Sequence, residues 1–326
     1  MNMQNSISSK KIAMFMQNNV FVVFLLVLIV CACFFVPNFA TKTNLLNVFI
    51  QISINGLLAT GMTYVIITGG IDLSVGSVAA LSGIAATAIL THMPEDTSLL
   101  VCVLVTIAVA IVVGTLCGSF IGAAVAKLKI VPFIATFVVY SAARGFAYIY
   151  THSKPIYELP DSFSTIGVGY FMGVPILGIL LVVTLLVALF IERKTVAGRH
   201  IFAVGSNEEV AKLSGVKVTK IIMGVYIACS CLAALGGICL ASRLGSGQPS
   251  AANGYELHAI AAVAMGGTSM SGGSGSIMKT VTGITTIGII NNCLSLLRVD
   301  SYWQPVAMGI IIFAAVTFDQ LKVSKK

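Results

Sequence analysis

Few residues in this chain have the type and spacing to do chemistry, and the most conspicuous lie in Gly69-Gly70-Ile71-Asp72-Leu73-Ser74-Val75-Gly76. Asp72 is the first acid of the chain, and none follows until Glu95. It sits between two long apolar runs, Ile52 to Thr68 and Val78 to Leu90. A carboxylate in such surroundings is costly, and it either lines a pathway or caps a helix. Flanking glycines allow a sharp turn. As a cap, Asp72 would accept a backbone N–H near Ser74 or Val75. The two roles are compatible, because a helix start that opens on a pore presents free N–H groups.

A second stretch, Gly266-Gly267-Thr268-Ser269-Met270-Ser271-Gly272-Gly273-Ser274, echoes the first and also follows an apolar run. Repeats with broken helices around a shared pathway are common in transporters. Both stretches are therefore candidates for broken-helix turns: Gly69, Gly70, Asp72, Ser74 and Gly76 in one, Gly266, Gly267, Thr268 and Ser269 in the other.

The third polar stretch is Gly198-Arg199-His200-Ile201-Phe202-Ala203-Val204-Gly205-Ser206-Asn207-Glu208-Glu209-Val210-Ala211-Lys212-Leu213-Ser214-Gly215. Asn207 suits an N-cap, Glu208 and Glu209 the first turn, and Lys212 the last. Gly215 can take the left-handed conformation that ends a helix. One short helix is expected here, bounded by Gly205 and Gly215, with Val210 and Leu213 on one face. A loop of nearly 30 residues (192–220) with one short helix favours a functional role over a plain connector. The role expected is docking of a soluble partner.

Catalytic signatures are missing. The sequence has no Gly-x-x-x-x-Gly-Lys-Ser/Thr, His-Glu-x-x-His or Gly-x-Ser-x-Gly, so no P-loop nucleotide site, zincin site or nucleophile elbow is expected. The four histidines are scattered. The eight cysteines lie in apolar runs without metal-site spacing and read as small buried hydrophobes. Arg144 falls near the outer end of its run, where its side chain is expected to snorkel outward.

The elements that must position these residues follow from composition. Of 326 residues, 57% are hydrophobic and 9% charged, with mean hydropathy +1.00, against roughly 25% charged in a soluble domain. The chain is therefore all-α, a polytopic membrane helix bundle forming a single transmembrane domain over 1–326. About ten spans are expected, at 20–36, 46–68, 72–91, 98–125, 131–151, 174–191, 221–242, 256–268, 277–297 and 303–319. The first reads as a span, not a cleaved leader. The span at 256–268 falls short of the roughly 20 residues needed to cross, so it is re-entrant, broken, or completed by flanking residues. With a cytoplasmic N-terminus, this count places fourteen of the nineteen Lys and Arg inside and four outside, in keeping with the positive-inside rule. Both termini and the loop 192–220 are then cytoplasmic. The net charge of +8 is explained by this placement and not by a nucleic-acid partner. Gly114 and Gly118 form a small-xxx-small pair suited to close helix packing.

From about Pro37 to Lys322 the chain resembles the permease subunits of bacterial ATP-binding-cassette sugar importers, the ribose, xylose and galactose permease family, the ribose permeases most of all. The matching residues are Asn55 to Thr63, the Gly69–Ser77 string, Pro132 to Thr136 with Arg144-Gly145, and Gly198 to Gly215. They continue with Gln248-Pro249, Gly254 to Leu257, and Ala259 to Val263 through Gly266-Gly267-Thr268-Ser269. His258 stands where the family usually has an acid, Lys279 near a usual glycine, and Ser206 in place of a glycine.

The resemblance implies a pore-forming subunit without its own ATPase site, in the bacterial cytoplasmic membrane. Its implied partners are a cytoplasmic ATPase that binds ATP and magnesium, an external substrate-binding protein, a second permease subunit (a homodimer), membrane lipid and a monosaccharide. The Gly198–Gly215 loop resembles the family's ATPase-coupling region. An ion-coupled carrier or a channel is the alternative. An ion-coupled carrier would use several intramembrane acids, whereas only Asp72 is expected within the membrane, with Glu256 and Asp300 at boundaries.

Overall fold

The computed structural model describes residues 20–300 and 302–323. The terminal lysines at 10, 11, 325 and 326, which enter the charge count above, lie outside the described residues. Thirteen helices are described. In order they are α1 (Val20–Phe35), α2 (Lys42–Ile67), α3 (Val75–Leu90), α4 (Leu99–Ala126), α5 (Pro132–Thr151), α6 (Asp161–Val168) and α7 (Ile176–Lys194). Then come α8 (Val196–Ser206), α9 (Glu208–Leu213), α10 (Val218–Leu244), α11 (Tyr255–Met265), α12 (Ile277–Leu296) and α13 (Trp303–Val323). Each expected span falls on a helix. Five helices, α2, α4, α5, α7 and α10, are long and apolar enough to cross a bilayer, while α1, α3 and α11 are apolar but shorter. The protein is an all-α polytopic membrane bundle.

The bundle is built on α2 and α10. Helix α2 is buried along nearly its whole length after Ser53, as a helix without a polar stripe must be. It packs on α7, α10, α11 and α12, while α10 packs on α2, α3 and α4. Polar side chains join helices where lipid offers no partner. Asn44 and Asn292 exchange amide hydrogen bonds of 3.0 and 2.8 Å between α2 and α12. Ser82 of α3 donates to the carbonyl of Ala234 of α10 at 2.6 Å. The α4–α10 contact is set by glycine. A side chain at Gly114, Gly118 or Gly122 would collide with the backbone of Cys231, Ile227 or Met223. Three glycines four apart thus face three residues four apart, running the other way. The expected pair is the start of a longer stripe.

Two connections differ from expectation. Residues 152–173 hold the helix α6, and a two-residue hairpin, β1 (Tyr170–Phe171) with β2 (Val174–Pro175), follows it. The loop 192–220 contains two helices, α8 and α9, not one. Helix α8 runs through Gly205 to Ser206, so the boundary of the short helix is Asn207 and not Gly205.

Candidate functional site

The end of α2 shows why the Gly69 stretch breaks. Thr68, Gly69 and Gly70 donate to the carbonyls of Tyr64, Ile66 and Val65 at 3.0, 2.9 and 3.0 Å. This is a Schellman ending, with Gly69 in the left-handed region at φ +82°, a conformation that glycine adopts without steric cost. The last carbonyl, Ile67, accepts from Gly273 N at 2.9 Å. All four carbonyls that a helix end leaves open are therefore satisfied, one of them by a residue two hundred positions away.

Helix α11 ends in the same way. Gly267 and Thr268 donate to Ala264 and Val263 at 2.8 and 3.3 Å, with Gly267 at φ +79°. The shared geometry pairs Gly69 with Gly267, one residue out of register with the sequence echo, which pairs it with Gly266. Gly266 instead packs against the carbonyl of Lys279. Thr268 is buried, and Ser269 N donates to the carbonyl of Ser274 at 3.0 Å.

Asp72 is fully buried in the turn that follows Gly70. Its Oδ1 accepts from Ser74 N at 2.8 Å and Ser74 Oγ at 2.6 Å. The carboxylate thus holds the residue before α3, and no side chain bonds the first turn itself. Its Oδ2 has no partner of ordinary hydrogen-bond geometry, and the Cys229 thiol of α10 lies beside it. A side chain on Gly70 would run into the Tyr226 hydroxyl, and one on Gly76 into Glu256 and the Ala252 carbonyl.

That last contact explains the short span. Gly247 packs on Thr87 and Ala252 on Gly76, eleven residues apart on α3, or about 16 Å along its axis. The segment 247–252 therefore descends beside α3, and α11 starts part-way along the bundle. Arg144 holds this segment, its Nη1 donating to the carbonyls of Pro249 and Ala251, both at 2.7 Å. Arg144 does not snorkel. It turns inward because the descending segment offers two carbonyls that no helix or sheet satisfies. Above it, Ile156 and Gly247 exchange backbone bonds of 2.8 and 2.9 Å. Glu256, expected at a boundary, is buried at the start of α11, so among the residues whose burial is described two acids are buried, not one.

The polar loop packs on the break. A side chain at Gly205 would meet the Ile67 carbonyl and the Gly273 amide. Gly198 sits on the Ile191 carbonyl, and Ile201 and Val204 are buried, while Arg199 is exposed. Glu192, which the sequence reading passed over, accepts from Ser276 Oγ at 3.0 Å and Ile277 N at 2.7 Å. It caps α12 with negative charge where the helix dipole favours it. An isolated acid beside Arg193 and Lys194 was the available signal.

Helix α9 is built as its residues predict. Asn207 accepts from Val210 N at 3.0 Å. Gly215 and Val216 close a Schellman ending on Lys212 and Ala211, both at 3.0 Å, with Gly215 at φ +83°. Glu208 pairs with Lys129, and Glu209 is exposed. Val210 and Leu213 are 57% and 88% exposed, which leaves an apolar edge of α9 uncovered.

A family model described as branched-chain amino acid transport system, permease component, matches residues 44–316. The chain belongs to this permease family. The permease is 40% identical over 329 residues to the ribose import permease protein RbsC of Haemophilus influenzae, covering 99% of each chain. It is 42% identical over 300 residues to RbsC of Bacillus subtilis, covering 91% of each. It is 40% identical over 310 residues to the L-arabinose transport system permease protein AraH of Escherichia coli K12, covering 95% of the permease and 92% of AraH. No solved structure matches the chain.

Asp72→Ala should leave the permease inserted but lower transport. The two hydrogen bonds that Asp72 accepts from Ser74 are worth about 0.5–1.5 kcal/mol each, a loss that a bundle tolerates, while the turn that seats Gly70 on Tyr226 loosens. Transport measured at matched membrane expression checks this; unchanged transport would make the carboxylate dispensable.

Proposed function

We propose that the permease is the pore-forming subunit of a bacterial ATP-binding-cassette importer that carries a pentose, ribose first. Its full-length likeness to ribose import permeases supports the substrate class. The likeness to an L-arabinose permease makes that sugar the second reading. On this proposal nucleotide and magnesium bind a separate cytoplasmic ATPase, an external binding protein delivers the sugar, and two copies of the chain form the pathway. Both termini and 192–220 face the cytoplasm of a bacterial inner-membrane protein.

The observation that carries the coupling role is the joining of α9, exposed and capped, to α8, whose end rests on the break after α2. The ATPase grips α9 by Val210 and Leu213, in the helix-in-groove manner. Its motion passes through α8 to Ile67 and Gly273, and through Glu192 to α12. The turns at Gly69–Gly76 and Gly266–Ser269, both tied to this junction, are then the parts of the pathway that respond.

Val210→Asp with Leu213→Asp tests the assignment. The double variant should insert normally, because both side chains are exposed, yet lose co-purification of the ATPase and uptake of labelled ribose. A variant that keeps both would reduce the loop to a connector. Running L-arabinose in parallel with the wild type separates the two sugar readings.

A further inference from the structure

We propose that the permease holds an anionic phospholipid, with its phosphate among the lysines between α4 and α10 and an acyl chain in the cleft between α4 and α5. Lysines from three segments converge on one cavity of about 700 Å³: Lys127 and Lys129 after α4, Lys212 on α9, and Lys217 and Lys220 at the start of α10. Its one acid, Glu208, is paired with Lys129. Among the described residues, the other four lysines have no carboxylate within ion-pairing distance. Helix α10 begins there without a side-chain cap, so its N-terminal dipole adds positive character where lysines are already unfavourable. The positive-inside tendency accounts for lysines at this level. It does not account for five of them around one hollow with its only acid already paired.

The second observation is independent. Between α4 and α5 runs an apolar cleft of about 280 Å³, lined by Leu116, Phe120, Val138, Ala142 and Phe146 among others. Leu116 and Phe120 are largely exposed in the chain. Lys127 keeps helical backbone angles and lies seven residues beyond Phe120 and eleven beyond Leu116, so all three share one face of α4. The cleft thus leads, over about 10 Å of helix, to the edge of the basic cavity.

Only an amphiphile matches both parts. An acidic protein surface would neutralise the lysines but could not fill a cleft along spanning helices. A second copy meeting this face across a two-fold axis would bring the same lysines. Basic pockets at the cytoplasmic ends of spanning helices are suited to phosphate headgroups.

The test reads lipid retained by full-length permease. The protein is purified in detergent with equimolar phosphatidylglycerol and phosphatidylcholine, and bound lipid is measured by native mass spectrometry. Wild type should retain phosphatidylglycerol at least about tenfold over phosphatidylcholine, given the worth of several lysines near a phosphate. Lys127→Gln with Lys217→Gln and Lys220→Gln should bring the ratio to parity, and the corresponding triple Arg variant should restore it. Ala142→Trp, which fills the cleft, should lower retention with the lysines intact, and inorganic phosphate should not displace the lipid.

Equal retention of both lipids by wild type would overturn the proposal. So would full retention by Ala142→Trp or displacement by phosphate alone, since either means a headgroup site without a chain site. If the triple Gln variant loses its ATPase but keeps phosphatidylglycerol, the lysines serve a protein partner and the proposal also falls. None of these readouts depends on the transported sugar.

Discussion

Arg144→Met is expected to reduce uptake of labelled sugar by roughly a hundredfold. Two charge-assisted bonds of about 1.5–3 kcal/mol each are lost, and two part-buried carbonyls lose their donor. Within the descending segment 247–252 the backbone makes one turn bond, from Ala251 N to the Gln248 carbonyl at 3.0 Å. The segment is pinned above by Gly247 to Ile156 and braced lower down by Arg144. Without the brace, the start of α11 and the buried Glu256 lose their position. Arg144→Lys keeps the charge but not the planar fork, so intermediate uptake is expected. Uptake by Arg144→Met equal to wild type at matched expression would show that the segment holds itself.

Gly205→Val should separate energy use from transport. Its side chain would be driven into the Ile67 carbonyl and the Gly273 amide, which are themselves hydrogen-bonded at 2.9 Å. Overpacking of this kind costs about 1–3 kcal/mol, and here the strain falls on the junction that joins α8 to two helix breaks. The exposed edge of α9 at Val210 and Leu213 is untouched. The expected result is a complex that still co-purifies with its ATPase and hydrolyses ATP, with uptake lowered by roughly tenfold or more, in proportion to that strain. Gly205→Ala, with less bulk, should fall between. Loss of ATPase association instead would place Gly205 in the docking surface.

The parts legible in the sequence are those whose forces are local. Asn207, Lys212 and Gly215 announce α9 because a cap, a dipole contact and a left-handed ending all act within about five residues. The spans follow from apolar length and lysine placement. Helix α8 was not legible. Gly198 and Gly205 argue against a helix by propensity, and only close packing on the carbonyls of Ile191 and Ile67 makes glycine the residue that fits. The echo between the two breaks was visible, but it slipped by one residue. Letters align Gly-Gly with Gly-Gly, while geometry aligns the glycine that turns left-handed.

Arg144 shows most clearly where local reading ends. Near the end of an apolar helix, outward snorkelling is the expectation when nothing else is known. The partners that reverse it, Pro249 and Ala251, are more than a hundred residues away. The sequence by itself determined an all-α membrane bundle and the capped α9 with its ending at Gly215, because apolar length, backbone sterics and hydrogen bonds between near neighbours settle those. Only the tertiary structure decided that the start of α11 lies part-way along the bundle, that Asp72 is sealed against α10, and that Gly205, Ile67 and Gly273 meet. Such contacts depend on which faces of distant helices are turned together, and packing across the whole bundle sets that.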